Sequence, residues 1–517
     1  MLRILQYTAL LVAISALVIA ASILLPLQSA PLQSKRQNLS LNHINIVDVQ
    51  NGEVLRNMTV LVSDGRIVEI MPSEQYLSPA GFMDVDGSGK FLIPGLWDMH
   101  THGIKRSPQI HHPLFIRYGI TSVRDMSGCL SEDDSYWACP KDRDLWTSQA
   151  LNGKGISPRY ILQSSYQTNG GNEVPVSFPD FFRLGSETDA SKLVQFYAGK
   201  NIDFIKTYTE LDAEQFQNLA HASKEMNIQL AGHKPLRVSL SSAIAAGMTS
   251  IEHGRLFLFE CYQDIASFRQ LNNPVSQYNA ELMRQMLLAQ DELKCTSEMK
   301  AMADSDTAWV PTLTTLQMSA MANDRIFRQD ERLKVIPPLF QYLIWNPDIQ
   351  RAASKGYDQK HLFVHADFFA MAKSQVGKAQ SLGVTIMAGT DNLDTYVFTG
   401  SSLHDELSML VDSGLSPLQA LQSATLIPAG FARLDNELGT IEVGKRADMI
   451  ILNSNPLIDI RNTLDIDSVI FAGRYIDEKA LESLEKYVAD MAGSIRLNLR
   501  LLWDMLTSPL MRVQLAD

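Results

Sequence analysis

The sequence predicts an α/β protein in which a TIM-type (β/α)8 barrel interrupts a small composite β-sandwich. Between residues 96 and 435, short apolar runs alternate with helical stretches, the pattern of successive βα units feeding a parallel sheet. Eight of these runs end near His102, Asp125, Ser164, Lys206, His233, His253, Thr312 and Asp391. Polar residues at strand ends suit such a barrel, which carries its chemistry at the C-terminal ends of its strands. The flanks, 41–95 and 436–477, are β-rich pieces without intervening helices, so they read as two halves of one β unit.

The chain has 517 residues, 45% hydrophobic and 20% charged, enough for a large domain with a smaller one attached. Acidic residues (57) exceed basic ones (45), for a net charge of −12. That balance argues against a general nucleic-acid binder, which needs a basic surface to meet phosphates. At the N-terminus Arg3 precedes a long uncharged apolar run reaching Leu27. Residues 1–30 therefore read as a signal peptide or membrane anchor outside the fold. Small residues at Ala20, Ala21 and Ala30 suit a signal peptidase, and cleavage stays open. The expected product is exported, periplasmic or extracellular, or associated with the membrane through this segment. Ser34 to Ser40 is a polar linker.

Asn51-Gly52 and Asp64-Gly65 separate short β-rich runs from Ile44 to Ile70, and such dipeptides favour hairpin turns. The apolar run Phe91–Pro94 then leads through Gly95 into Leu-Trp-Asp-Met-His100-Thr-His102. Strand side chains alternate with period two, so His100 and His102 share one face and make half a metal site. Two segments exceed ordinary βα connections, Ser131 to Asp144 and Phe257 to Asp306; both are expected to wall the site. The four cysteines, Cys129, Cys139, Cys261 and Cys295, are even in number, as in disulfide-bonded exported proteins. Of three pairings, Cys129 with Cys139 and Cys261 with Cys295 are favoured, because each pair brackets one polar insertion. No Cys-x-x-Cys supports thiolate zinc or thioredoxin-type chemistry. Residues 478–517 form a helical extension with Leu481, Leu484, Tyr487, Val488, Met491 and Ile495 at helical spacing. Packing against the barrel is the expectation, with membrane-surface or dimer contact as its rivals.

Pro94-Gly-Leu-Trp-Asp-Met-His-Thr-His102 resembles the first metal-binding strand of the amidohydrolase superfamily. Gly439-Thr-Ile-Glu-Val-Gly-Lys-Arg-Ala-Asp-Met-Ile-Ile-Leu452 is similar to that superfamily's C-terminal β segment. The resemblance spans about Leu41 to Tyr475 and is closest to the branch of imidazolonepropionase-like proteins and metal-dependent prolidases. It implies that Lys206, in Asp-Phe-Ile-Lys206, is carboxylated and bridges two divalent metal ions. His233 and His253 would be the fifth- and sixth-strand ligands, and Asp391 the eighth-strand acid. The implied ligand set is His100, His102, Lys206, His233, His253 and Asp391. Imidazole and carboxylate donors suit two ions of zinc or a similar metal. A bridging water would then be acidified toward hydroxide and the attacked carbonyl polarised, with Asp391 as base and then acid toward the leaving amine.

This predicts a binuclear hydrolase cleaving the C–N bond of a small-molecule amide, a dipeptide or an N-acyl amino acid. A mononuclear deaminase or cyclic-amide hydrolase on the same barrel is the nearest alternative. Deaminases of the superfamily generally carry a glutamate shortly after the fifth-strand histidine, where this chain has Lys234, Pro235 and Leu236. A catalytically silent, anchored binding protein is the alternative from another class. Arg124, Arg255, Tyr208 and His404 are candidate substrate-binding residues, the arginines to receive a carboxylate. Lys234 has the wrong strand parity to share the face of His233. His361 and His365 lie four apart as on one helix face but lack the His-Glu-x-x-His glutamate and read as structural. His111 and His112 are expected near the pocket mouth, and a homo-oligomer is compatible with the sequence.

Overall fold

The computed structural model describes residues 6, 7, 10, 14, 20–31, 35–75 and 79–514. Half of the expected export or anchor segment thus lies outside the described residues. Among those described, no helix is long and apolar enough to cross a membrane. The N-terminal flank gives β1 (Leu39–Val47), β2 (Val54–Ser63), β3 (Arg66–Pro72), β4 (Met83–Asp86) and β5 (Phe91–Pro94). Asp64 and Gly65 join β2 to β3 with φ of +51° and +74°, the left-handed pair that a tight hairpin requires.

The middle of the chain gives seven short, almost wholly buried strands. They are β6 (Leu96–Thr101), β7 (Ile120–Asp125), β8 (Arg159–Gln163), β9 (Phe204–Thr207), β10 (Gln229–Gly232), β11 (Met248–Glu252) and β12 (Ala308–Val310). Burial on both faces explains why they read as continuous apolar runs. β6-β7-β8 and β9-β10-β11-β12 form two parallel sheets. A parallel bridge between Ser164 and Phe204 links them, and another joins Trp309 to Ile386. The segment after Ile386 closes on the first strand: Met99 N–H donates to the Ala388 carbonyl at 3.0 Å and Asp391 N–H to the His100 carbonyl at 2.8 Å. A Cβ on Gly389 would stand 2.8 Å from the His100 nitrogen, so only glycine permits that approach. The expected eighth strand is thus an irregular segment held by these bonds rather than a regular strand.

The C-terminal flank adds β13 (Met449–Leu452), β14 (Ile466–Phe471) and β15 (Arg474–Asp477). Both flanks join in one eight-stranded sheet of order β15-β14-β13-β5-β1-β2-β3, with β4 beside β1. Their seam is the antiparallel pair β5 and β13, where Phe91 faces Leu452 and Pro94 faces Met449. Leu41, Ile46, Val60, Leu92, Met449 and Ile470 share its separate core. β5 runs through Gly95 directly into β6, so the first histidine strand continues from the composite sheet.

Both disulfides pair as the sequence suggested, Cys129 with Cys139 and Cys261 with Cys295. The extension after Asp477 forms helices Glu478–Ala492, Ile495–Thr507 and Pro509–Gln514. The first buries Leu481, Leu484 and Val488; Val488 packs with Leu114 and Val335. One helical expectation fails: His361 and His365 do not share a helix face. The helix begins at Val364, while His361 has φ +59° in a turn where Asp358 accepts the N–H groups of Lys360 and Leu362 at 2.9 Å each.

Candidate active site

Six side chains converge beyond the ends of the parallel strands. His100 lies in β6, His102 one residue past it, Lys206 in β9, His233 and His253 just after β10 and β11, and Asp391 on the closing segment. His100 Nε2 and His102 Nε2 lie 3.4 Å and 3.3 Å from Asp391 Oδ1. His253 Nε2 is 2.8 Å from His233 Nε2, and Lys206 Nζ is 3.5 Å from His102 Nε2. His253 and Asp391 have φ of +77° and +64°, a conformation uncommon for such residues and found where neighbouring structure enforces it. His100, His253 and Asp391 offer ligand atoms within 4.8 Å of one another, a group able to hold a metal ion. His100 Nε2 is buried without a hydrogen-bond partner, as a metal-facing nitrogen would be.

The opposite ring atoms are fixed from behind. His100 Nδ1 is 2.8 Å from Glu252 Oε2, and Glu252 takes Arg124 Nη2 at 2.9 Å and the Ser250 hydroxyl at 2.5 Å. Asp98, two residues before His100 on the same face, accepts the N–H groups of His100 and Thr390. His233 Nδ1 meets Thr209 Oγ1 at 2.7 Å, and His253 Nδ1 meets Thr312 Oγ1 at 2.9 Å. Burial holds all four imidazoles well below their ordinary pKa, which favours the neutral form that a metal ligand needs. Burial likewise lowers the Lys206 ammonium, against the opposing pull of Asp391. Asp391 is pushed up to about 8, first by burial and then by Asp394.

The six residues line one cavity of about 730 Å³. Tyr136 and Trp137 from the first long insertion and Tyr278 and Met283 from the second line it too, so both expected walls are in place. The sequence did not signal the other walls: the helical stretch from Leu316 to Phe368, including His365, and Met511 and Gln514 near the C-terminus. Gln514 Nε2 donates to Tyr166 Oη at 3.1 Å. Asp98 and Thr209 did not stand out in the sequence, Thr312 stood out only as a strand end, and Glu252 only as an acid that could pair with a nearby arginine. Asp98 shares the parity of His100, the one local signal that could have marked it.

The candidate substrate-binding residues divide. Tyr208 stacks on His233 with ring centroids 4.1 Å apart and lines the cavity, as does Arg255, whose Nη2 is 3.5 Å from His233 Nδ1. Arg124 does not reach substrate space: it is 1% exposed and spent on Glu252, the Ser250 hydroxyl and the Met99 carbonyl. His404 is likewise buried away from the cavity, held by Thr463 Oγ1 at 2.8 Å and the Tyr118 carbonyl at 3.0 Å. Lys234 turns away from the site to pair with Glu260 at 3.0 Å. His111 and His112 are buried against Ser107 and Tyr160 and do not line the site cavity.

Residues 374–476 match the amidohydrolase family. Over that stretch the chain is similar to the amidohydrolase family. An adenine deaminase of Ligilactobacillus salivarius is 23% identical over 430 residues, covering 81% of this chain and 55% of that protein. The chain thus spans about half the length of this curated relative. Among solved structures, a Xaa-Pro dipeptidase with methionine bound in its active site superposes with a TM-score of 0.59 at 20% identity, over 85% of this chain and all (100%) of the other. A bottromycin amidohydrolase gives 0.65 at 19%, over 89% and 91%. These likenesses show a shared α/β fold.

Proposed function

We propose that this chain is a member of the amidohydrolase superfamily, a binuclear metal-dependent hydrolase cleaving the C–N bond of a small amide, a dipeptide or an N-acyl amino acid. The observation that carries this reading is the convergence of His100, His102, Lys206, His233, His253 and Asp391 on the floor of one large cavity. The eight parallel segments are read as a (β/α)8 barrel, and the sheet of both flanks as a composite β-sandwich. His100, His102 and Asp391 would hold one ion, His233 and His253 the other, with Lys206 as a carbamate between them. Divalent ions such as zinc, bound there, supply an acidified water and polarise the carbonyl.

The chain's own groups do the rest. Carboxylation needs a neutral amine, and burial of Lys206 favours that form. Asp391, raised by burial, suits a group that accepts a proton from water and returns it to the leaving amine. Thr209 and Thr312 fix the orientation of His233 and His253. Arg255 is positioned to receive a substrate carboxylate, and Tyr208 to stack beside it. The deaminase alternative is disfavoured because Lys234, Pro235 and Leu236 follow His233 where a proton-carrying glutamate is expected, and Lys234 is itself buried against Glu260. A silent binding role leaves the unpaired His100 Nε2 unexplained. Export is part of the proposal, supported by the two disulfides and the apolar N-terminal run.

Screening the metal-loaded protein against dipeptides, N-acyl amino acids and aminated purines tests this. Release of amino acid from the first two classes is expected. Ammonia release from the third, without hydrolysis of the others, would transfer the chain to the deaminases.

A further inference from the structure

Helix Ile495–Thr507 buries Leu497, Leu501, Asp504 and Met505. Its other side carries Ile495, Leu499, Leu502, Trp503 and Leu506, spaced so that they fall along one stripe. Ile495 is 76%, Trp503 46% and Leu506 59% exposed, and Leu499 and Leu502 are half-buried. A contiguous apolar stripe on a surface helix marks an interaction face.

The N-terminal chain meets this helix. Arg496 Nη2 donates to the Pro26 carbonyl at 2.7 Å, and Tyr487 Oη on the preceding helix donates to the Gln28 carbonyl at 2.6 Å. Immediately upstream lie Leu24 and Leu25, 77% and 56% exposed, the end of an apolar run with no charged residue between Arg3 and Lys35. We infer that the stripe of helix Ile495–Thr507 lies on a lipid bilayer, the one that the N-terminal run enters. Trp503 offers an apolar body with a polar N–H, the combination favoured at the bilayer interface. Arg496 and Arg500 lie along one edge of the stripe, Arg500 also 3.4 Å from Asp504 Oδ1, and basic residues at such an edge suit lipid phosphates. The occupant is therefore a bilayer rather than a second copy of the chain: its apolar character continues into the N-terminal run, which a dimer contact would leave unexplained. The helix is followed directly by Pro509–Gln514, whose Met511 and Gln514 line the cavity. The bilayer-facing helix and one wall of the site therefore adjoin.

Among the described residues no cysteine is free, so Leu506→Cys introduces a single reactive thiol. The full-length protein is reconstituted in phosphatidylcholine–phosphatidylglycerol vesicles with a nitrobenzoxadiazole label at this position. The reference is the same label at Leu293→Cys, 86% exposed on another helix. Brominated lipids should quench the first label at least about threefold more than the second, as for a residue at the acyl boundary. Equal quenching overturns the inference. So does shielding of the Leu506→Cys label in lipid-free detergent solution that rises with protein concentration, because that would mean a second copy covers the face. If the labelled variant misfolds, intrinsic fluorescence decides: brominated lipids should quench the wild type more than Trp503→Phe, and equal quenching again overturns it.

Discussion

The two halves of the ligand ring are held in different ways. On one side, His100 is backed by a charged chain, with Glu252 behind the imidazole and Arg124 behind Glu252, all at most 3% exposed. On the other, His233 and His253 are backed by neutral threonine hydroxyls. A carboxylate behind an imidazole raises its basicity and fixes its tautomer more strongly than a hydroxyl does. One side of the ring is thus tied into a buried charged chain, and the other is oriented by neutral hydrogen bonds alone. The same difference also accounts for two arginines of similar sequence setting, Arg124 tied to the ring from behind and Arg255 left to face the cavity.

The largest effect concerns Asp391, which stands beside His100 and His102 and 3.6 Å from His253 Nδ1. Asp391→Asn should stay folded and retain metal yet lose turnover by on the order of 10²-fold or more. The amide can occupy a ligand position but cannot take a proton, and near-normal turnover would remove Asp391 from its role. The comparison itself is sharpened by weakening each half in turn. Glu252→Gln should reduce metal affinity by roughly 10–100-fold, whereas Thr209→Val and Thr312→Val should each cost less, read by chelator titration. Equal losses would break the asymmetry.

The arginines give the next effect. Arg124→Met leaves Glu252 unpaired in the core, so it should destabilise the protein by about 3–5 kcal/mol in urea unfolding without changing preference between a dipeptide and its C-terminal amide. Arg255→Met should do the reverse, leaving stability close to wild type and lowering kcat/KM about tenfold for the acid only. The smallest effect lies away from the ring. Burial holds His404 at about 4, below its ordinary 6.5. The unfolded chain therefore takes up a proton there below about 6.5 while the folded chain does not, and stability is lost as pH falls from 6.5 toward 4. One such proton contributes about 1.4 kcal/mol per pH unit, so His404→Gln should flatten the stability curve by roughly that slope in this window, whatever its offset.

What the sequence made legible follows the same division. His100 and His102 stood out because strand parity is local, whereas Lys206, His233, His253 and Asp391 stood out because the apolar runs they close resemble the ligand-bearing strands of the amidohydrolase superfamily. The hairpin at Asp64-Gly65 and both disulfides were readable for equally local reasons. Arg124 was misassigned because its partner Glu252 lies on a strand more than a hundred residues away, and no local pattern says which way a buried arginine turns. His361 was placed on a helix because spacing alone does not reveal that Asp358 captures the turn before Val364. Met511 and Gln514 reach the cavity only through tertiary packing of the last helices, anchored by Asp134 to Ser508 and by Arg106 to Asp504. A ligand ring repeats a local motif, whereas a wall is assembled from whatever the fold brings near.

The proposal that the ring holds two ions bridged through Lys206 is checked by measuring bound divalent metal in the purified, metal-loaded wild type beside Lys206→Ala. Near two equivalents are expected in the wild type, and in the variant a loss of metal and activity that short-chain carboxylic acids partly restore. Two equivalents and full activity in Lys206→Ala, or a wild type that takes up no metal on reconstitution, would contradict it.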